Sequence, residues 1–472
     1  MSPAPTLEPG QRIDGFELGE RIHRGGMASL WRVSRQDLLR PAVMKVPAIQ
    51  EDPTAIVSFE VEQMVMPLLR GPHAPRFIAT GGFDAQPYVV MEYIDGATLR
   101  PKLEASPLPP AEVASIGARV AEALHDLHRQ RVIHLDVKPS NIMFRPSGQA
   151  VLIDYGLAHH ERLPDLLAEE FRVPLGTAPY ISPEQVLNGR DDPRSDLFAL
   201  GAVLYHLATG QRAFGAPTTV SGLRQRLYQA PLPPRGHNSA CPPWLQEIIL
   251  RCLEVDPEQR YGSAAQVAFD LTQPQTVALT ARAARTGPLP IGQRLRRWLR
   301  SVAVAPQRRN VTQQLQRAPI VVAAVDLSQE WDALDDAMRA AAWRVLQSEP
   351  HARLACVSVL RTHLMTLDSP SDEVGRNRHV QHLVQLQHWA RPLALPRQRL
   401  TYHVLEAPDA AEAIIDYARN NRVDHVVLGS RGASGLRRYL GSVSTRVVAE
   451  APCSVTVVKV PRDEAIEAEA SA

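Results

Sequence analysis

The sequence predicts a multidomain chain: an α+β unit whose strands come first, followed from Ala318 by a doubly wound α/β domain. Three observations carry this. The 472 residues exceed what one ordinary core serves, so two or three domains are expected. Ile13 to Val46 alternates apolar and turn residues as paired strands do, whereas Pro109 to Arg129 has the apolar period of an amphipathic helix. From Ala318 onward, apolar strands and amphipathic helices take turns, the pattern of a parallel sheet.

Composition narrows the function. Lys+Arg 52 against Asp+Glu 50 leaves a formal charge of +2, which gives no electrostatic case for nucleic acid. Cys241, Cys252, Cys356 and Cys453 are widely spread with no C-x-x-C pair, so disulfide or metal use is not expected and a reducing cytosol fits. Met1-Ser2-Pro3-Ala4-Pro5 has neither a basic start nor an apolar run, so no signal peptide is expected. Leu197–Leu207 is too short to span a bilayer and carries His206.

In chain order, residues 1–12 read as a disordered lead. Ile22-His23-Arg24-Gly25-Gly26-Met27-Ala28-Ser29-Leu30-Trp31 puts glycines between two strands, where backbone N–H groups can approach a polyphosphate. A lone Gly-Gly is more often only a hairpin turn. Lys45 ends the apolar strand Ala42-Val43-Met44, where a lysine usually snorkels. Phe59 to Met66 reads as a helix with Glu60 and Glu62. Glu62 is the better candidate partner for Lys45, because Phe59, Met66 and Leu69 share its helix face, and Glu60 is the fallback. Tyr88 to Gly96 is a buried strand running into a turn.

The stretch His134-Leu135-Asp136-Val137-Lys138-Pro139-Ser140-Asn141 hangs between apolar Val132-Ile133 and Ile142-Met143-Phe144. It contains an acid, a base and an amide at fixed offsets, the set that phosphoryl transfer to a hydroxyl needs. A chance D-x-K-x-x-N is not rare, and alone it would more often be a solvated loop. Here it resembles the catalytic loop of the protein kinase family, H-R-D-x-K-x-x-N, with Leu135 in place of Arg. The other motifs follow in the family's order. Residues 22–31 resemble the glycine loop, with two glycines replaced by His23 and Ala28. Val151-Leu152-Ile153-Asp154-Tyr155-Gly156 resembles D-F-G, and Gly176-Thr177-Ala178-Pro179-Tyr180-Ile181-Ser182-Pro183-Glu184 resembles the end of a serine/threonine-kinase activation segment.

The resemblance covers roughly 13–272 and implies a bilobal α+β kinase fold, with ATP and Mg2+ in the cleft between lobes. It implies Lys45 on the α- and β-phosphates, Glu62 as its partner, and Gly25 and Gly26 over the phosphates. Met91 would lie behind the adenine, with Glu92 to Ile94 as hinge. Asp136 would be the base, Lys138 would meet the γ-phosphate, and Thr177 would bond both. Asn141 and Asp154 would hold magnesium. Asp196, in Asp196-Leu197-Phe198, would brace the catalytic loop, and Arg260 would pair with Glu184.

Leu135 removes the cation that a phosphorylated activation loop usually neutralises. Residues 157–176 contain no Ser, Thr or Tyr at all. Loop phosphorylation is therefore not expected to switch the enzyme, and control by the second domain is the natural substitute.

From Pro274 to Gln316 the pattern dissolves, and 273–317 reads as a linker. Within it Ile291–Arg300 is a short basic amphipathic piece, more often a solvated helix than a membrane contact. The second domain runs from 318 to 461: strands at Pro319–Asp326, Ala352–Leu360, Arg399–Leu405, His425–Gly429 and Val455–Val460, with helices at Trp331–Leu346 and Ala410–Asn420. Ligands of such a sheet lie off the carboxyl ends of its strands. Gly429-Ser430-Arg431-Gly432 and Gly441-Ser442 set glycines after a strand and before a helix, an anion-binding arrangement. With Asp326 and Ala451-Pro452-Cys453 they resemble the universal stress protein family. ATP-binding members carry G-x-x-G, nine residues, then G-S; eight residues (433–440) stand here, which leaves open whether this domain binds ATP. Asp326 would contact adenine or ribose. Members often pair, so a homodimer through 318–461 is an expectation of the resemblance. Residues 462–472 form an acidic tail, read as disordered.

The leading reading is a cytosolic serine/threonine protein kinase acting on a protein substrate, with a regulatory or dimerising universal-stress-like domain. The alternative is a nucleotide-binding, pseudokinase-like scaffold or sensor, favoured by the substituted glycine loop and Leu135. Small-molecule phosphorylation fits less well, because Gly176–Glu184 is shaped for a peptide.

Overall fold

The computed structural model describes residues 7–25, 28–48, 52–290, 292, 299, 318–328, 332–362, 377–430 and 441–460. Its amino-terminal lobe is an antiparallel sheet: β1 (Arg12–Ile13), β2 (Phe16–Arg24), β3 (Ala28–Ser34), β4 (Ala42–Pro47), β5 (Phe77–Gly81) and β6 (Tyr88–Glu92), in the order β1-β2-β3-β4-β6-β5. One face of this sheet is sealed by Phe16, Leu18, Trp31, Met44 and Val90. The other receives helix α1 (Pro53–Val65), which is capped by the Asp52 carboxylate accepting from Thr54 N at 2.9 Å. Ile56, Val57, Phe59, Val61 and Val65 bury the face of α1 that also carries Glu62. The lead 1–12 is shorter than expected: the Gly10 N–H donates to Leu18 O at 2.7 Å and Arg12 belongs to β1, so pairing with β2 orders the chain well before Ile13.

The second lobe is helical. Its spine is α2 (Pro110–Arg129), whose Val113, Ile116, Val120, Leu124 and Leu127 recur at helical spacing and are buried. Between the lobes lie the short strands Val132–Ile133, Ile142–Phe144 and Ala150–Leu152, which hold the loop 134–141 at the interlobe cleft. A five-residue helix, α3 (Leu166–Glu170), is capped by Asp165. Helix α4 (Arg194–Thr209) is buried on nearly every side, as a helix at the centre of a lobe must be. Helices α5 (Pro243–Cys252) and α6 (Ala264–Thr272) complete the lobe. The linker expected from residue 273 starts later. Gln246 Nε2 donates to the carbonyls of Arg282, Ala283 and Arg285, Arg282 pairs with Glu247 at 2.9 Å, and Ala283 is buried. Residues 274–285 thus pack as part of the lobe, through backbone acceptors that sequence pattern does not reveal. The basic piece 291–300 lies outside the described residues except for positions 292 and 299, and the tail 462–472 lies wholly outside them.

The third unit is a parallel sheet: β7 (Ile320–Ala324), α7 (Asp332–Ser348), β8 (Arg353–Arg361), α8 (Arg378–Ala390), β9 (Leu400–Ala407), α9 (Ala410–Asn421), β10 (His425–Gly429), α10 (Ser442–Glu450) and β11 (Ser454–Val458). Among the described residues the order is β9-β8-β7-β10-β11, every pair parallel. Alternate residues face opposite sides. Val321, Ala323, Leu354 and Cys356 pack with α7 and α8, while Val322, Ala355 and Val357 pack with α9 and α10. Helices on both faces make the unit doubly wound, as expected. No element was expected between Leu360 and Arg399, yet α8 stands there. Its Val380, Leu383, Leu386 and Trp389 keep a helical apolar spacing amid polar neighbours. Among the described residues no helix is long and apolar enough to cross a membrane.

Candidate active site

Strand β4 delivers Lys45 into the cleft, and α1 turns Glu62 toward it. Lys45 Nζ lies 2.6 Å from Glu62 Oε2 and 2.8 Å from Asp154 Oδ1. Glu60, on the other side of α1, faces Glu170 and His403 instead. Burial opposes the Lys45 charge, but the two carboxylates outweigh it and hold the ammonium above its ordinary range. Burial, with the like charge of Asp154, raises the Glu62 carboxyl although Lys45 works against it. Burial also penalises the Asp154 carboxylate, yet Lys45 and the charge of Lys138 hold it below the usual range.

The loop 134–141 is clamped from behind. Asp196, fully buried at the start of α4, accepts from His134 N at 2.9 Å, from Leu135 N at 2.8 Å and lies 2.8 Å from His128 Nε2. That clamp fixes Leu135 at φ +60°, a left-handed turn that aims Asp136 into the cleft. Lys138 Nζ donates to Asp136 Oδ2 at 2.6 Å, and Thr177 Oγ1 donates to Asp136 Oδ1 at 2.6 Å. Lys138 also donates to Thr177 Oγ1 at 3.1 Å. Asn141 Nδ2 donates to Asp136 Oδ2 at 3.1 Å, and the Asn141 carbonyl accepts from Ile153 N at 2.9 Å. That last bond ties the loop to the strand end bearing Asp154. Lys45, Glu62, Asp136, Lys138, Asn141, Asp154 and Thr177 therefore share one cleft.

At the back of the cleft Met91 and Ile94 are buried, and the Glu92 carboxylate is gripped by Arg145 at 2.7 and 3.1 Å. The Gly25 N–H donates to Ala28 O at 2.9 Å, and a Cβ at Gly25 would come within 3.3 Å of His23 Nε2, while Gly26 lies outside the described residues. Tyr155, in the place of the expected phenylalanine, is fully buried and donates its hydroxyl to Leu152 O at 3.1 Å. Glu184 and Arg260 form a two-pronged pair at 2.7 and 2.8 Å.

Two features escaped the sequence. Leu135 is buried, and Gln185 Nε2 donates to its carbonyl at 2.8 Å, so an amide rather than a phosphate and arginine joins the loop to the segment after it. Asp165, within the activation segment, accepts from Arg190 Nε through both oxygens at 3.0 and 3.1 Å. Burial opposes that carboxylate, but Arg190 and His159 hold it well below the usual range. An aspartate thus already occupies a cationic socket. The only local signal is an acid in a stretch without hydroxyl side chains.

Asp154 and Asn141 each carry a hard oxygen donor, the Ile153 N–H beside Asp154 donates to Asn141 O at 2.9 Å, and Asp154 keeps 41% of its side-chain surface open. Two protein oxygens suit magnesium, which keeps several waters and takes its remaining ligands from substrate phosphates.

In the C-terminal unit, Asp326 follows β7 and accepts from Ser328 N and Oγ at 3.0 and 2.7 Å. Gly429 ends the neighbouring β10, where a Cβ would meet Leu334 Cδ2 at 2.9 Å, so close helix packing requires glycine there. Gly441 caps α10, its N–H 3.4 Å from Ser430 Oγ, and Ser442 opens that helix. Gly432 lies outside the described residues.

The protein kinase domain family matches residues 16–270, and the universal stress protein family matches residues 318–459. The chain is similar to serine/threonine-protein kinase PknB of Mycobacterium leprae, 33% identical over 270 residues that cover 56% of this chain and 43% of that protein. PknB of Mycobacterium tuberculosis is 32% identical over 272 residues, 56% of this chain and 44% of its own length. A probable serine/threonine-protein kinase of Clostridium perfringens is 31% identical over 259 residues, 54% and 38%. The chain thus spans less than half the length of these relatives.

Proposed function

The chain belongs to the protein kinase domain family and carries a universal stress protein domain behind it, and from that premise we propose that it transfers the ATP γ-phosphate to Ser/Thr hydroxyls of a protein substrate. The observation that supports this most is the single hydrogen-bonded set around Asp136: Lys138 and Thr177 on its carboxylate, Asn141 beneath it. In this reading Asp136 orients the substrate hydroxyl and accepts its proton. The oxygen bonds to the γ-phosphorus as the bond to the β-phosphate oxygen breaks, leaving ADP. Lys138 meets charge on the transferred group, and Lys45, held by Glu62, meets the α- and β-phosphates. Magnesium, when bound, supplies further charge neutralisation, and Asp154 and Asn141 are the residues that would hold it. Thr177, donating to Asp136, is what suits the site to Ser/Thr rather than Tyr acceptors.

Loop phosphorylation is not the switch in this proposal. Residues 157–176 offer no hydroxyl to modify, and Asp165 already fills the Arg190 socket. The C-terminal domain is the regulator. A cytosolic setting is supported by the ATP that the cleft requires and by four free cysteines, three of them buried. The test is Mg-ATP with a generic acceptor protein, wild type against Asp136→Ala. Transfer by the wild type alone supports the kinase. Equal background incorporation in both would leave a nucleotide-dependent scaffold instead.

A further inference from the structure

Glu169 and Glu170 close α3, inside the segment that lacks hydroxyl side chains, and both are received by the C-terminal domain. Arg353, the first residue of β8, donates through Nη2 to Glu169 Oε1 and through Nη1 to Thr401 Oγ1 at 3.0 Å. His403 of β9 places Nδ1 2.8 Å from Glu170 Oε1 and Nε2 3.3 Å from Glu169 Oε2. The Tyr417 hydroxyl donates to Glu169 Oε2 at 3.1 Å, and Asn421 Nδ2 donates to Glu169 O at 3.1 Å. Arg172 Nη2 returns a bond to Asn421 Oδ1 at 3.0 Å. The two glutamate side chains keep only 9% and 4% of their surface, and His403 keeps none.

Buried charges persist only where partners meet their lone pairs and protons. Here they do. Burial opposes the His403 charge, but hydrogen bonds to Glu169 and Glu170 push it up to about 9. Burial likewise opposes the Glu169 charge, and Arg353 with His403 pulls it down to about 2. Near neutral pH the Glu169 carboxylate therefore faces the His403 imidazolium.

The node also touches the catalytic helix. Glu60 of α1, half-buried, faces Glu170 and His403; burial and the Glu170 charge push its carboxyl up to about 8. The helix that carries Glu62 thus packs against the same α3 that the C-terminal domain holds. On its other side α3 is fixed by Asp165 in the Arg190 socket. The activation segment is anchored at both ends of α3, from within its own lobe and from the second domain, and it leads directly to Thr177.

We propose that the C-terminal domain is a built-in positioning device for the phosphotransfer site: Arg353, His403, Tyr417 and Asn421 hold the activation segment through Glu169 and Glu170, the task a loop phosphate performs elsewhere. This rests on the kinase reading above and adds the means of its control. None of the four touches the nucleotide cleft, so they are positioning residues.

The test uses the full chain and compares wild type, Arg353→Met, the milder Asn421→Ala, and Asp136→Ala. Two readouts are taken: hydrogen exchange of residues 165–177, and kcat with the ATP KM for transfer to a generic acceptor. Expected for Arg353→Met is faster exchange in that segment and a fall in kcat of about tenfold, the worth of one charge-assisted bond, with ATP KM unchanged. Asn421→Ala should shift both in the same direction by less, and it covers the case that Arg353→Met does not fold. Unchanged exchange, or faster exchange with kcat within twofold of wild type, overturns the proposal. A wild type no more active than Asp136→Ala overturns the kinase reading itself, and the positioning role with it.

Discussion

Replacing Thr177 by valine removes one hydroxyl and keeps the shape. That hydroxyl donates to Asp136 Oδ1 at 2.6 Å and accepts from Lys138 at 3.1 Å, so it fixes the carboxylate and the lysine in one plane of contact. A hydrogen bond to a charged group contributes about 1.5–3 kcal/mol. If that contribution is realised in the transition state, where Asp136 takes the proton, kcat should fall by roughly 10- to 150-fold at about 1.4 kcal/mol per tenfold. Thr177 has no bond to Lys45, Glu62 or Asp154, so the ATP KM should not move. Initial rates of γ-phosphate transfer at saturating Mg-ATP measure this, with Asp136→Ala as the floor and a melting curve to show that the variant is folded. Thr177→Ser, which keeps the donor, should retain most of the rate. A Thr177→Val enzyme with kcat within twofold of wild type, or one impaired only in ATP KM, would refute the assignment of this threonine.

Two further outcomes follow from buried charge. Glu184→Gln strands Arg260, whose side chain is fully buried; carbonyls of Glu254, Arg194 and Val255 still accept from it, so the loss should fall at the lower end for a broken buried pair, about 3 kcal/mol, read as a lower denaturant midpoint. A shift under about 1 kcal/mol would count against the pair as a support. Alkaline pH should loosen the interdomain node. The folded His403 pKa is raised from 6.5 to about 9, so its contribution is complete below pH 6.5 and is lost as pH rises through about 9. That shift corresponds to about 3 kcal/mol. Glu60, raised to about 8, acts in the same direction, while Glu169, lowered to about 2, matters only in strong acid. Stability measured from pH 6.5 to 9.5 should decline, and His403→Gln should flatten the slope; identical slopes in the two proteins would show that His403 does not sense pH.

Most of the fold was legible because its signals are local. The loop 134–141, the Lys45 strand and the Asp154 turn are short runs whose apolar flanks say where they sit. The strands and helices from 318 onward declare themselves by period. Helix α8 was missed although Val380, Leu383, Leu386 and Trp389 keep the helical spacing, because five histidine and glutamine side chains between them mask the stripe. Residues 7–12 and 274–285 look loose in the sequence because what orders them is backbone pairing and a buried glutamine amide, neither of which has a compositional mark. The Arg353–Glu169 contact joins residues 184 apart in sequence, so no window of sequence contains it. Asp165 was hidden for the same reason: an acid in a polar loop gives no hint of a distant arginine.

The parallel sheet meets the kinase domain along its edge strand, since Arg353 starts β8 while Thr401 and His403 lie in the first half of β9, against which α3 packs. Asp326 stands just past the carboxyl end of β7, and Gly429 ends the neighbouring β10. In register, Ala324 pairs with Val357 and Val357 with His403, so Asp326 stands about 7 Å along the strands and about 10 Å across them from the imidazole that receives Glu170. A molecule captured beside Asp326 would therefore be felt at α3 across one intervening strand, and the sheet would act as a short relay.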